Sequence, residues 1–213
     1  MIDGLFKRHI DPLWEKAAAP LVQARLTPNQ VTAAGLVLIA VASAAYLAHK
    51  SSLVFGLTLA IAFAFDALDG AVARQRDMRS KVGGYFDAMV DRYQELAVLA
   101  AIAFVANLWP AAFFAFAGGV LTSYAKARTA VEIPIDNDAW PDLFERLERI
   151  IFLCVLLVVD GAASTAGFGT PWILGAGLTL YAVLANVSAL QRIARATVML
   201  RRSDAGQDHG EGS

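Results

Sequence analysis

This chain of 213 residues has one cysteine, Cys154, set in an apolar run, so no disulfide framework can form within it. Histidine is almost as scarce: three residues, His9, His49 and His209, far apart in sequence. Sites built on imidazole and thiolate, such as zinc or redox-metal centres, are a poor fit. Charge is sparse too, at 17% Asp, Glu, Lys and Arg, against about a quarter in an ordinary soluble domain. The formal net charge of -1 says little, because the position of the charges matters more than their sum. No nucleic-acid partner is expected. No internal repeat is visible, and no cleavable leader is expected, since MIDGLFKRHIDPLWEKAAAP places acids and a tryptophan where a simple apolar stretch should be.

What the chain does have is apolar length. Hydrophobic residues make up 57% of it and the mean hydropathy is +0.52. A helix needs about 20 apolar residues to cross a bilayer. Six stretches meet that need, near 29–48, 52–74, 82–106, 110–130, 146–164 and 171–196. The expected fold is therefore an all-α integral membrane protein with six transmembrane helices, forming one membrane domain over residues 1–202. Gly56, Gly83-Gly84 and Gly118-Gly119 suit close helix packing.

Orientation follows from Lys and Arg. They gather before the first stretch (Lys7, Arg8, Lys16, Arg25), between the second and third (Arg74, Arg76, Arg79, Lys81), around the fourth loop (Lys126, Arg128, Arg146, Arg149) and at the C-terminal end (Arg192, Arg195, Arg201, Arg202). The other three connections hold only Lys50. Both termini and the Arg74–Lys81 loop are expected in the cytoplasm, in a cell membrane of prokaryotic type. Over residues 1–26, Leu5, Phe6, Ile10, Leu13, Trp14, Ala17 and Leu21 recur at helical spacing. They predict an N-terminal amphipathic helix lying in the membrane interface, bent or divided at Pro12 and Pro20. The alternative is a soluble helix packed on the loops. Residues 203–213, SDAGQDHGEGS, are polar and are expected to be a disordered tail.

The chemistry lies in FDALDGAVARQRDMRSKVGGYFDAMVDR, residues 65–92. Asp66 and Asp69 are three apart and Asp87 and Asp91 four apart, so on helices each pair shares a face. Four carboxylates beside membrane-length apolar stretches are costly and repel one another unless a cation sits among them. All four offer only oxygen, the donor that Mg²⁺ prefers. Gly70 and Ala73 leave room for a ligand, and Arg74 can pair with a phosphate oxygen. Together these residues describe a metal-dependent pyrophosphate site at a membrane surface, as a nucleotide-activated lipid requires. The alternative is an ion-pair network between the carboxylates and the loop arginines.

Asp66, Asp69-Gly70, Ala73-Arg74, Gly83, Asp87 and Asp91 stand at the spacing of the signature of the CDP-alcohol phosphotransferases, which this stretch resembles at all eight specified positions. LTPNQVT, residues 26–32, is similar to the family's segment at the start of its first span. The resemblance implies transfer of a substituted phosphate from a CDP-linked lipid, commonly CDP-diacylglycerol, to a small alcohol acceptor, with release of CMP, in phospholipid biosynthesis. It implies that Asp66, Asp69, Asp87 and Asp91 surround two Mg²⁺ ions, with Mn²⁺ as a substitute. Asp91 would also be the general base that takes the acceptor proton. Gly70, Ala73 and Arg74 would line the CDP pocket, joined by Asn29 and Thr32. A homodimer is implied as well.

Arg92-Tyr93, SYAKARTAVE and ERLERII resemble the branch that uses inositol phosphate, the phosphatidylinositol-phosphate synthases and their archaeal relatives. That likeness implies Lys126, Arg149 and Arg192 as ligands of the acceptor phosphate, with Arg128 and Arg146 as further candidates. The chain departs from the branch at VEIPIDNDAWPDLFE, where Asp136, Asp138 and Asp142 would disfavour a phosphorylated acceptor if they faced it. Another polyol, glycerol phosphate or an amino alcohol are the alternative acceptors. An Arg-Glu pair usual in glycerophosphate transferases is absent from the fourth stretch. From another class, an ion transporter would also place carboxylates within spans, near the midplane and often on repeated elements. Here they cluster at one end, beside a basic loop.

Overall fold

The computed structural model describes residues 14–135, 140, 143–168 and 172–207. They form α1 (14–23), α2 (Pro28–His49), α3 (Ser52–Asp66), α4 (Leu68–Gln75), α5 (Lys81–Ala106), α6 (Trp109–Glu132), α7 (Arg146–Thr165) and α8 (Trp172–Gln207), with no strand among the described residues. Each of the six expected stretches lies on this helical framework. Among the described residues, three helical stretches are long and apolar enough to cross a membrane: Pro28–His49, Ser52–Gln75 and Trp172–Ala205. Val41, Ile61, Phe104, Phe113, Val155 and Leu190 are all more than half exposed. A soluble monomer does not usually carry so much outward apolar surface.

Local chemistry explains the helix boundaries. In LTPNQVT the Thr27 hydroxyl accepts from the Gln30 backbone N–H at 3.3 Å, and Gln30 Oε1 accepts from the Thr27 N–H at 2.9 Å. This capping box, with Pro28 at the first helical position, starts α2. Asn107, in the left-handed region at φ 55°, ends α5, and Pro110 opens α6 one turn later. The stretch expected as one helix over 52–74 is two, because the ladder turns at Ala67, whose N–H is shared between Phe63 O and Phe65 O. That turn sends Asp66 into the bundle and leaves Asp69 beside an open cavity. Across this turn both side chains still face α2, Asp66 against Gly35 and Asp69 against Thr32 one turn earlier.

The main core is apolar. Tyr46 stacks on Phe55 with ring centroids 4.3 Å apart, Tyr181 packs edge-on against Phe144, and Leu59, Leu99, Ile102, Leu157 and Leu178 are buried in the same cluster. Helices α6 and α8 pack along each other, as do α2 with α5 and α3 with α7. Gly118 lies against the Ala185 backbone and Gly56 against Leu157 and Val158, so small residues set these close approaches. Gly83 and Gly84 line the cavity: a Cβ on Gly83 would meet Ser80 Oγ at 3.1 Å and Asn29 Oδ1 of α2 at 3.4 Å, while one on Gly84 would meet nothing within 4 Å.

Two further boundaries differ from expectation. Helix α8 continues past Ser203 to Gln207, so the polar segment starts inside a helix; the rest of the expected tail is outside the described residues. At 36 residues, α8 is about 54 Å long, well beyond a bilayer core of about 30 Å. At the other end, α1 packs through Ala18, with Trp14, Leu21 and Val22 beside it, on a small cluster of Val31, Leu68, Ala71 and Val72. Gln75 donates to Glu15 O at 2.6 Å, tying α4 to α1. Pro20 sits within the helical run 14–23, while Pro12, Leu5, Phe6, Ile10 and Leu13 lie outside the described residues.

Candidate active site

Two spaces lie among the candidate residues. The larger is an open cavity of about 410 Å³ lined by Asn29, Thr32, Asp69, Gly70, Ala73, Arg74, Gly83, Gly84 and Asp87. All five residues expected at the nucleotide that are not themselves acidic (Asn29, Thr32, Gly70, Ala73 and Arg74) therefore border one space. Thr32 is buried, and its hydroxyl lies 2.5 Å from Asp69 Oδ2 and 3.0 Å from Pro28 O. Ser80 caps α5 by accepting from Gly83 N–H at 3.0 Å, so the first turn of α5 opens on the same cavity.

The second is lined by Asp91, Glu95, Arg146 and Arg149, and Asp66 borders neither space. Asp66 is 3% exposed. Its Oδ1 accepts from Gln94 Nε2 at 2.8 Å, and its Oδ2 accepts from Arg146 Nη2 at 3.1 Å. The same Arg146 nitrogen lies 2.6 Å from Asp91 Oδ1 and donates to Gln94 Oε1 at 2.8 Å. The contact with Asp91 is an ion pair without hydrogen-bond alignment, and Asp91 Oδ1 has no hydrogen-bond partner. Asp69 and Asp87 border the same cavity. Carboxylates gathered at one site repel one another unless a proton or a cation offsets their charge.

The residues fit a divalent cation in donor type and charge. The donors are all oxygen, and the carboxylates already gather around one positive charge, the Arg146 guanidinium. As they stand, no three acidic, His or Cys side chains among the described residues close around a single ion. The cation among the carboxylates comes from α7, where the sequence pointed to the loop arginines. Arg76, from that loop, instead donates to Arg25 O at 2.8 Å and Leu26 O at 2.6 Å.

The basic residues expected at the acceptor do not border the larger cavity. Arg149 is 3% exposed; its Nε donates to Glu95 Oε1 at 2.9 Å and its Nη1 to Phe144 O at 3.2 Å. Arg192 donates to Thr122 O at 3.1 Å, with its guanidinium 5.8 Å from the centre of the Trp140 ring. Lys126 is half-buried on α6, and Arg128 forms an exposed pair with Glu132. Asp136, Asp138 and Asp142 lie outside the described residues.

Sequence reasoning missed Gln94 and Glu95. Glu95 accepts from Arg149 and from Tyr181 Oη, both at 2.9 Å, and pairs with Arg92 Nη1 at 3.3 Å. Arg92 also donates to Ser123 Oγ at 2.9 Å. The hub joins α5 to α6, α7 and α8. A signal was present: Gln94 and Glu95 follow Asp91 by three and four positions, placing polar groups on its helix face inside an apolar stretch.

A profile of the CDP-alcohol phosphatidyltransferase family matches residues 25–192. The phosphatidylinositol phosphate synthase of Mycobacteroides abscessus is 32% identical over 208 residues, covering 91% of this chain and 90% of its own. The archaetidylinositol phosphate synthase of Pyrococcus horikoshii is 28% identical over 180 residues, covering 84% and 88%. Among solved structures, the phosphatidylinositol phosphate synthase of Mycobacterium tuberculosis with CDP-DAG bound superposes with a TM-score of 0.73 at 26% identity, covering 87% of this chain and 94% of that one. The same protein in complex with manganese and citrate gives 0.74 at 25% identity, covering 86% and 88%. This chain belongs to the CDP-alcohol phosphatidyltransferase family and is a metal-dependent transferase of phospholipid biosynthesis.

Proposed function

We propose that this protein transfers a phosphatidyl-type group from a CDP-linked lipid, CDP-diacylglycerol or a close analogue, to inositol phosphate, releasing CMP. One observation carries the reading: the residues expected at the nucleotide border one cavity of about 410 Å³ whose edge is formed by Asp69 and Asp87. The names of the relatives support inositol phosphate as the acceptor. Six membrane-crossing helices, a membrane-surface role for α1 and a cytoplasmic site belong to the same reading, supported by the distribution of Lys and Arg. A homodimer is part of it too.

Asp66, Asp69, Asp87 and Asp91 would hold two Mg²⁺ ions, or Mn²⁺ in their place. Bound there, the ions neutralise the pyrophosphate and the departing CMP. The remaining steps belong to side chains. Arg74 pairs with a phosphate oxygen from one wall, while Gly70, Gly83 and Gly84 let the nucleotide approach the backbone. The first turn of α5 presents backbone N–H groups to the anion. Asp91 accepts the proton of the acceptor hydroxyl. Lys126 and Arg192 bind the acceptor phosphate. Arg149 contributes through Glu95, which anchors the turn of α7 carrying Arg146.

The test is an acceptor screen on purified protein. CMP release is followed with CDP-diacylglycerol, Mg²⁺ and inositol phosphate, inositol, glycerol phosphate, serine or no alcohol. Inositol phosphate should give the largest kcat/KM. Higher activity with free inositol would refute the acceptor and leave the transfer chemistry intact.

A further inference from the structure

Gln94 is fully buried on α5, one turn after Asp91, with Val90 and Val98 buried beside it. An amide is retained in such a place only with partners for both ends, and Gln94 has them. Its Nε2 donates to Asp66 Oδ1 at 2.8 Å and its Oε1 accepts from Arg146 Nη2 at 2.8 Å. Chemistry alone settles the orientation of the amide, because a carboxylate can only accept and a guanidinium can only donate. On the opposite side of Asp66 stands Gly35 of α2. A Cβ there would overlap Asp66 Oδ1 and press on its Cγ at 3.1 Å. Neither Gly35 nor Gln94 belongs to the eight-position signature.

We propose that Gly35 and Gln94 are positioning residues that clamp Asp66 by its Oδ1 and so present Oδ2 alone to the divalent cation. The inference rests on the metal-site reading of the preceding subsection. Gln94 supplies the hydrogen bond that occupies Oδ1, and Gly35 supplies the space that lets Oδ1 sit against α2. Asp66 Oδ2 is left facing Arg146, which also reaches Asp91. Arg146 is the counter-ion that exchanges with the metal, and the Gln94 carbonyl keeps it within reach. Outer partners that orient a ligating carboxylate typically change metal affinity by about ten- to a hundred-fold when removed.

Mn²⁺ binding to the full-length protein in detergent, followed by the electron paramagnetic resonance of free Mn²⁺, tests the clamp. Gln94→Met keeps the volume and loses both hydrogen bonds; Gly35→Ala loses no hydrogen bond and displaces Oδ1. Both should weaken Mn²⁺ binding about ten- to a hundred-fold. CMP release should return towards the parent kcat at saturating Mn²⁺, since the defect lies in metal capture. A purely structural role predicts the reverse: unchanged Mn²⁺ affinity and a lowered kcat at every metal concentration. Unchanged Mn²⁺ affinity in either folded variant overturns the clamp. If Gln94→Met does not fold, as judged by circular dichroism and gel filtration, Gly35→Ala decides alone. Asp66→Asn separates the two readings. If it binds Mn²⁺ like the parent, the metal site itself is misassigned. If it loses Mn²⁺ while Gly35→Ala retains it, only the clamp fails.

Discussion

At the residue scale, the four aspartates carry different burdens despite identical chemistry. Asp66 is buried and gripped through one oxygen, Asp69 is tied to Thr32, and Asp87 borders the open cavity. Asp91 is ion-paired through Oδ1 with Arg146, and in the proposed reaction it is the base. Asp91→Asn should therefore lower kcat by about 10²–10⁴-fold while binding of CDP-diacylglycerol, measured by equilibrium dialysis, survives. Asp66→Asn, Asp69→Asn or Asp87→Asn should each remove most activity. Chelator should abolish CMP release and added Mg²⁺ or Mn²⁺ should restore it; full turnover in excess chelator would refute the metal role. Lys126→Ala should act on the acceptor, raising its KM so that kcat/KM falls about ten- to a hundred-fold. Arg149→Ala should behave differently. It removes one of three partners of Glu95, leaving Arg92 and Tyr181, at a cost of about 1.5–3 kcal/mol, and should lower the thermal midpoint.

At the scale of the elements, the site depends on where three helices begin and end. The capping box of Thr27 and Gln30 starts α2 one turn before Thr32, so the cap also registers Thr32 against Asp69. Thr27→Ala should cost about 0.5–2 kcal/mol of stability. It should also weaken nucleotide binding, readable as a higher KM for CDP-diacylglycerol at little change in kcat. The turn at Ala67 and the Ser80 cap place Asp69 and Asp87 across one cavity from each other. Helix α7 contributes two arginines one turn apart with separate duties, Arg149 to Glu95 and Arg146 to the aspartates.

At the scale of the whole molecule, the loops that flank the aspartates carry most of the Lys and Arg, and the proposed topology follows from that asymmetry. In a Cys154→Ala background, single cysteines at Ser80 and Ser203 should react only with reagent applied from the cytoplasmic side. Cysteines at Asn107 or Ser164, both exposed between helices, should react only from the opposite side. Labelling of Ser80 from outside would separate the motif from cytosolic nucleotide and defeat the proposed reaction.

Much of this was legible along the chain. Apolar length, the Lys and Arg pattern and the fixed aspartate spacing are local quantities, readable without knowing which helices touch. They determined the all-helical class and the resemblance to the family, and the resemblance implied the cavity-lining set of Asn29, Thr32, Gly70, Ala73 and Arg74. The roles of the basic residues were not legible in this way. Lys126, Arg149 and Arg192 look equivalent as positive charges at helix ends, yet burial commits Arg149 to Glu95 and leaves Arg146, three residues earlier, between Asp66 and Asp91. The bend at Ala67 was hidden for the same reason, since no proline or glycine marks it. Only the tertiary structure decided these points. Pairing between groups some 28 to 80 residues apart, such as Gln94 or Arg146 with Asp66, depends on which helix faces meet across the bundle, and that is a property of packing.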